Sequence, residues 1–342
     1  MSLSFFLESV FWNLELRAGR RVTTETRTPV ERTDFGFEVV DTFAEAFPMT
    51  ATRVIVTTDT APWAAVAGQT MTGYATSVIG CDAEAGIERV LLPEETPDGR
   101  PGVSILVFAF SRDALEKAVV NRVGQCVMTC PTTACFNGLP LGEKTIGVGG
   151  KLRYFGDGWQ ISKWIGGRRY WRVPVMDGEF LCEETFGTVK GVAGGNIILM
   201  GKEPAATREA AESSVAAMKC CPDIILPFPG GIARSGSKVG SKYKKLRAST
   251  NTAFAPTLRG VVASEMPALA RCAYEIVIDG LSLEAVERAT AVGLHAAKLH
   301  EKDLAAITSG NYGGKLGPFH IRLHDVVKRF AEPFRNGPGI TP

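Results

Sequence analysis

A chain of 342 residues, 45% of them hydrophobic, can bury one large core or two modest ones, which excludes disorder as its main state. Thirty-eight basic against 36 acidic residues leave a formal charge of +2, far from the excess of a nucleic-acid coat, so the global charge names no partner, and neither nucleic acid nor, from the segments below, membrane is expected as one. Eight cysteines are few for this length and Cys220 adjoins Cys221, a placing that suits thiols in the cytoplasm better than a disulfide framework.

In chain order, the opening "MSLSFFLESVFWNLELRAGRR" is interrupted by Glu8 and Glu15, and no basic residue precedes its apolar run. It reads as neither secretory signal nor membrane span. Residues 1–35 are expected to be an N-terminal extension, either a short anchoring helix with a linker or a disordered tail.

A weak internal repeat follows. "DTFAEAFPMTATRVIVTT" from Asp41 matches "ETFGTVKGVAGGNIILMG" from Glu184 without a gap, so that Val54, Ile55 and Val56 fall on Ile197, Ile198 and Leu199, each 143 residues on. Each predicted strand feeds a helix, "APWAAVAGQTM" or "EPAATREAAESSVAAMK". Strand and turn material comes next, "GYATSVIGCDAEAGIERVLLP" or "DIILPFPGGIARSGSKVG". A second strand, turn and amphipathic helix close each half, "VSILVFAFSRDALEKAVVNRVGQ" and "AYEIVIDGLSLEAVERATAVGLH", with Leu115, Ala118 and Val119 at helix-face spacing. The order β-α-β, β-α-β in each half predicts an α/β (α+β) fold. It would have two ferredoxin-like split β-α-β sandwich lobes with largely antiparallel sheets, at residues 36–170 and 171–325, and a tail at 326–342. No Gly-x-Gly-x-x-Gly turn joins a first strand to its helix and no Walker loop is present, so a nucleotide cradle is not expected.

A metal is not expected either. Cys126, Cys130 and Cys135 lack the two-residue spacing of a zinc knuckle and have no histidines nearby. His320 and His324 fall in "FHIRLHDV", whose alternation of Phe319, Ile321 and Leu323 with polar residues predicts a strand.

Glycine gathers in connections, most of all in "FPGGIARSGSKVGSKYKK" (228–245) and "SGNYGGKLGP" (309–318). In the first and just after it, Lys238, Lys242, Lys244, Lys245 and Arg247 lie within ten residues with no acidic side chain among them. Such a run is either a solvated face or, with backbone amides freed by the glycines and serines, a seat for an anionic or polycarboxylate ligand.

One residue is out of place in "RCAYEIVIDGLSLEAVERA". On the predicted strand Tyr274, Ile276 and Ile278 share one face, and Ala273, Glu275 and Val277 the other. Both faces are apolar except at Glu275. It either meets solvent or an arginine, or is a partly dry carboxyl with its pKa raised toward neutrality and able to give and take a proton.

Taken together, "DTFAEAF", "CDAEAGIE", "PEETPDGRPGV", "GQCVMTCPT", "GVAGGN", "PFPGGI", "SKVGSK", "ASTN", "YEIVI" and "GNYGGKLG" resemble the formylmethanofuran:tetrahydromethanopterin formyltransferases, from about Val40 to Asp325. The N-terminal 35 residues, the tail and "LPLGEKTIGVGG" depart from the pattern. The resemblance implies transfer of a formyl group between the amine of a furan carrier and N5 of a tetrahydropterin, as in formaldehyde oxidation and related one-carbon metabolism. Methanofuran or methylofuran and tetrahydromethanopterin would be carrier co-substrates, with no tightly bound cofactor. It also implies that Glu275 is the catalytic acid/base, and that the chain assembles with itself as a dimer or tetramer. "MTCPTTACF" and the appended start point to a bacterial member, the D subunit of a formyltransferase/hydrolase complex. Polar residues in or beside the matched phrases are candidates for the cleft wall: Ser235, Ser237, Lys238, Lys242, Ser249, Thr250, Asn251 and Asn311. With no cysteine or serine nucleophile beside a histidine motif, direct transfer in a ternary complex is expected rather than a formyl-enzyme. Self-association is expected on a second ground, that each ferredoxin-like sheet has a face needing cover. The competing reading is a noncatalytic scaffold subunit of a formyl-carrier hydrolase complex. An RNA binder is disfavoured, since no aromatic-rich "GFGFV" strand is present.

Overall fold

The computed structural model describes residues 35–236 and 238–330. Apart from Phe35, the expected N-terminal extension lies outside them, as do Ser237 and the tail from residue 331. The chain runs through β1 (Glu38–Val39), β2 (Phe43–Thr57), α1 (Ala61–Thr72), β3 (Glu84–Leu91), β4 (Gly102–Ala109), α2 (Arg112–Arg122) and β5 (Ala134–Asn137). The helices begin where the sequence provides for it: Pro62 opens α1, and the Ser111 hydroxyl caps α2 by accepting from Ala114 N (3.1 Å), satisfying an N–H the first turn leaves over. Strands β2 to β5 lie in the order β5-β2-β4-β3, that of a split β-α-β unit. Leu115, Ala118 and Val119 of α2 pack with Ile105 and Val107 of β4 in one core.

After β6 (Thr145–Gly147) and α3 (Gly149–Leu152), a meander of β7 (Ile161–Ile165), β8 (Arg168–Val175) and β9 (Gly178–Glu183) extends this sheet beside β5. The second unit follows β10 (Thr185–Gly187). Its elements are β11 (Val189–Gly201), α4 (Pro204–Met218), β12 (Ile224–Ile225), the hairpin β13 (Lys238–Val239) and β14 (Ala248–Ser249), β15 (Cys272–Gly280), α5 (Leu283–Ala297) and β16 (Leu304–Thr308). Its order, β16-β11-β15-β12, repeats that of the first unit. The 143-residue offset holds from α1 at Ala61 to α4 at Pro204, but β4 at Gly102 and β15 at Cys272 are 170 apart. The additional 27 residues lie between β12 and β15, and they carry the basic loop.

Antiparallel pairing of Phe47–Ala51 with Val189–Ala193 joins the two sheets, and only β1–β16 and β5–β9 are parallel among the described strand pairs. The helix-free faces of the lobes turn toward each other. Met49, Ala51, Leu106 and Phe108 from the first lobe meet Ala193 and Ile225 from the second in a core of their own.

Three expectations are amended. The sheet faces find part of their cover within the chain, because the seam core sets part of each against the other and Met266 and Ala270 pack with Ile198, Met200 and Ala306 of the second. A boundary at residue 170 falls inside β8, and the first described residues belong with the second lobe: β1 pairs with β16, and Phe35, Phe37, Val39, Ala44 and Ala46 lie in the core of that lobe. The predicted strand around His320 stops at Arg322, for β17 (Phe319–Arg322) gives way to α6 (Leu323–Arg329). Leu323, Val326 and Val327 all pack on one core, a helical spacing that overrides the short alternation before it. No described helix is long and apolar enough to cross a membrane.

Candidate active site

Strand β15 separates its residues as its alternation requires. Ile276 and Ile278 point into the core beneath α4 and α5, while Ala273, Glu275 and Val277 face two cavities on the far side. Glu275 is 5% exposed. Its backbone pairs with Ile198 of β11, and its N–H and carbonyl exchange bonds with Ala233 at 3.0 and 2.7 Å, so the strand is held from both sides. The larger cavity, about 460 Å³, is walled by Ser235, Thr250, Asn251, Phe254, Tyr274 and Glu275 among others. A smaller one of about 70 Å³ holds Glu45, Glu84, Asn196, Val239 and Tyr312 together with Glu275 and Asn251. Glu275 and Asn251 are common to both, so the carboxyl stands where the two spaces meet.

Of the predicted wall residues, Ser235, Thr250 and Asn251 line the larger cavity. Lys238 lies beside it in β13, its Nζ 3.4 Å from Thr252 Oγ1. The others have different surroundings. Ser249 Oγ donates to Gly240 O (2.7 Å) and closes the β13–β14 hairpin. Asn311 lines neither cavity; its Nδ2 donates to Thr42 Oγ1 (2.9 Å) and its Oδ1 accepts from Gly313 N (3.1 Å). Lys242, Lys244 and Lys245 are exposed at the hairpin tip.

Several groups escaped the sequence reading. Glu45, 3% exposed, accepts four backbone N–H groups of the second glycine loop: Tyr312 (2.6 Å), Gly314 (2.5 Å), Leu316 (2.8 Å) and Gly317 (3.1 Å). Burial alone would raise its pKa, but these four bonds outweigh it and hold the carboxyl below its ordinary value. Gly314 supplies one of them from a left-handed backbone, φ +72°, which a side chain would strain. Asn196 Oδ1 accepts from Gly310 N (2.7 Å) and fixes the start of the same loop. The loop in turn presents Tyr312, whose hydroxyl accepts from Val239 N (2.7 Å). Burial first, then the nearby Glu275 and Glu45 carboxylates, push that phenol above its usual range, so it stays protonated at neutral pH. A signal for Glu45 was present: Phe43, Glu45 and Phe47 share one strand face, the same anomaly that singled out Glu275.

This arrangement suits proton transfer between two bound molecules. Cys272 and Ser235 line the larger cavity, yet no histidine lines either one. Cys272 Sγ is engaged by Thr207 Oγ1 (3.1 Å).

The family model for formylmethanofuran–tetrahydromethanopterin formyltransferase matches residues 34–175, and that for the proximal lobe of the same family matches residues 178–326. The formyltransferase of Methylococcus capsulatus is 54% identical over 294 residues, 85% of this chain and 98% of its own. The D subunit of the formyltransferase/hydrolase complex of Methylorubrum extorquens is 51% identical, over 86% and 97%. Among solved structures, that complex with methylofuran matches at a TM-score of 0.83 over 86% of this chain and 98% of the other, and the Methanosarcina barkeri formyltransferase at 0.82 and 46% identity over 86% and 100%. The chain therefore belongs to the formylmethanofuran–tetrahydromethanopterin formyltransferase family.

Proposed function

We propose that the chain moves a formyl group between the amine of methanofuran or methylofuran and N5 of tetrahydromethanopterin, directly, in a ternary complex with Glu275 as general acid/base. The observation that carries this reading is the placing of Glu275, a buried carboxyl at the junction of two cavities, in a chain of this family. Attack of N5 on the formyl carbon gives a tetrahedral intermediate. The N5 proton passes to the Glu275 carboxylate, and the carboxyl returns a proton to the leaving amine as its C–N bond breaks. Holding both carriers in one cleft supplies roughly 7 to 11 kcal/mol of entropic advantage. Purified chain, alone and with co-expressed partners, should consume formylated furan carrier only when the tetrahydropterin is added. Activity that appears only with partner subunits, and survives loss of Glu275, would favour the noncatalytic scaffold.

The lysine loop is read as the seat of an anionic carrier tail. Val239 and Asn251 of this segment line the cavity, while the tip with Lys242, Lys244 and Lys245 stands in solvent, at the rim where a carboxylate-rich tail would emerge. Neutralising these three with Lys238 should weaken binding of a glutamate-bearing furan carrier and flatten its salt dependence, with less effect on the pterin. Affinity unchanged at low salt would return the loop to an ordinary solvated surface.

The enzyme is read as cytoplasmic, with all eight cysteines unpaired, and as self-associating. The surface that asks for a partner is the edge strand β7 and its surroundings, where Trp159 and Trp164 are 80% and 65% exposed beside Phe155, Ile161 and Ile165, also exposed. An apolar edge of this kind invites pairing. Because one relative is the D subunit of a formyltransferase/hydrolase complex, further subunits are also proposed as partners. Light scattering at assay concentration is expected to show at least a dimer, with an interface on the order of 2,000 Å², and Trp164→Glu to shift it toward monomer. A fully active wild-type particle of monomer mass would refute self-association.

A further inference from the structure

One pair of buried acids has no part in this chemistry. Glu84 at the start of β3 is 5% exposed and Asp279 near the end of β15 is fully buried. They come from different lobes and meet at the seam, where Glu84 lies opposite Phe108 and Asp279 opposite Ile225, both members of the seam core. Glu84 Oε1 accepts from Val78 N (3.0 Å) and Asp279 Oδ1 from Gly194 N (3.0 Å). The remaining oxygens, Oε2 and Oδ2, receive no N–H or hydroxyl from other described residues, and the two carboxyl groups lie within hydrogen-bonding reach of each other.

Two carboxylates cannot bond without a proton between them. Among the described residues lining the cavity beside Glu84, the titratable groups are Glu45, Glu275 and Tyr312, with no lysine or arginine to hold both acids ionised. Farther along the seam Arg53 is taken up by Glu88 (2.7 Å) and Asp223 (2.5 Å). Burial, and next the Glu84 charge, push the Asp279 carboxyl well above the ordinary range. Burial raises the Glu84 carboxyl as well, so one proton held between the two acids satisfies the pair.

We propose that Glu84 and Asp279 share one proton across the seam, and that this acid pair positions two walls of the Glu275 cavity. Val78 stands between Ser77 and Ile79, and all of Ser77, Ile79 and Gly194 line that cavity. Gly194 sits in a bulge of β11 with φ +85°, a conformation that the Asp279 bond helps to hold. The positioning role rests on the reading of the cavity as the reaction site; the shared proton does not.

The test uses the full chain with Asp279→Asn, which keeps an acceptor for Gly194 and a permanent donor for Glu84, and Asp279→Ala, which keeps neither. A folded-state pKa raised above the unfolded one favours folding most at low pH, and the benefit is lost as pH rises. Between about pH 5 and the folded pKa of Asp279, the wild-type unfolding constant should therefore rise about tenfold per pH unit relative to Asp279→Asn. Parallel wild-type and Asp279→Asn curves would overturn the shared proton. In the formyl-transfer assay Asp279→Ala should lose about ten- to a hundredfold in kcat, with KM changed less, and Asp279→Asn should recover most of that loss. An Asn variant as slow as the Ala variant, or an Ala variant as fast as wild type, would overturn the positioning role. If Asp279→Ala does not fold, Glu84→Ala replaces it, with Glu84→Gln as the rescue. Should Glu275→Gln prove fully active, the reaction-site reading fails while the pH slope still decides the shared proton.

Discussion

Glu275→Gln is expected to leave the fold and the binding of both carriers intact while lowering turnover at least about a hundredfold, as loss of a general acid does. The substitution is nearly isosteric, and the backbone bonds of residue 275 to Ala233 do not depend on its side chain. What is lost is the exchange of a proton. A glutamine amide can donate a hydrogen bond to the leaving nitrogen, but it cannot give up a proton to it or take one from N5. Circular dichroism, carrier binding and single-turnover formyl transfer check the three parts. A mutant retaining more than about a tenth of wild-type turnover would remove Glu275 from the mechanism, given that expected loss. Retained turnover with weakened binding would make it a binding residue instead.

The sequence disclosed the elements more readily than their surroundings. The 143-residue offset predicted two like units, and the strand orders β5-β2-β4-β3 and β16-β11-β15-β12 realise them, because alternation and helical spacing are local signals. Glu275 was legible for the same reason, as one charge breaking an apolar face. The seam was not, because the contact of Phe108 with Ile225 and the meeting of Glu84 with Asp279 depend on how two sheets pack, and no local period encodes that. The expectation that a partner must cover the sheets did not foresee that each lobe covers part of the other. Asn311 was ambiguous for a related reason: an amide in a glycine-rich loop reads alike whether it faces a ligand or ties the loop to a neighbour, as Asn311 does to Thr42. Glu45 carried the same signal as Glu275 and was passed over, since the pattern marks a charge out of place and not what partners it.

Glu45→Ala is expected to cost about 3 to 5 kcal/mol of stability, since it leaves four backbone N–H groups without their acceptor, each worth about 1 to 3 kcal/mol when buried and orphaned, with part regained by entering water. Glu45→Gln should cost less, because one oxygen still accepts while the amide N–H₂ opposes the donors on the other side. The wild-type advantage has a definite pH dependence. The folded carboxyl titrates below its ordinary value of 4.5, so its contribution is fully present above that value and is lost as pH falls through the folded pKa. The stability gap between wild type and Glu45→Ala should thus be flat around neutrality and narrow below pH 4.5. Hydrogen exchange locates the effect: the amides of Tyr312, Gly314, Leu316 and Gly317, which bond Glu45, should lose protection in the mutant ahead of those in β15. Because Tyr312 carries the bond to Val239, a freed loop also loosens the wall opposite Glu275, and formyl transfer should fall with it. A gap as wide in acid as at neutral pH, or full protection of those four amides in Glu45→Ala, would show that the loop is held by other means.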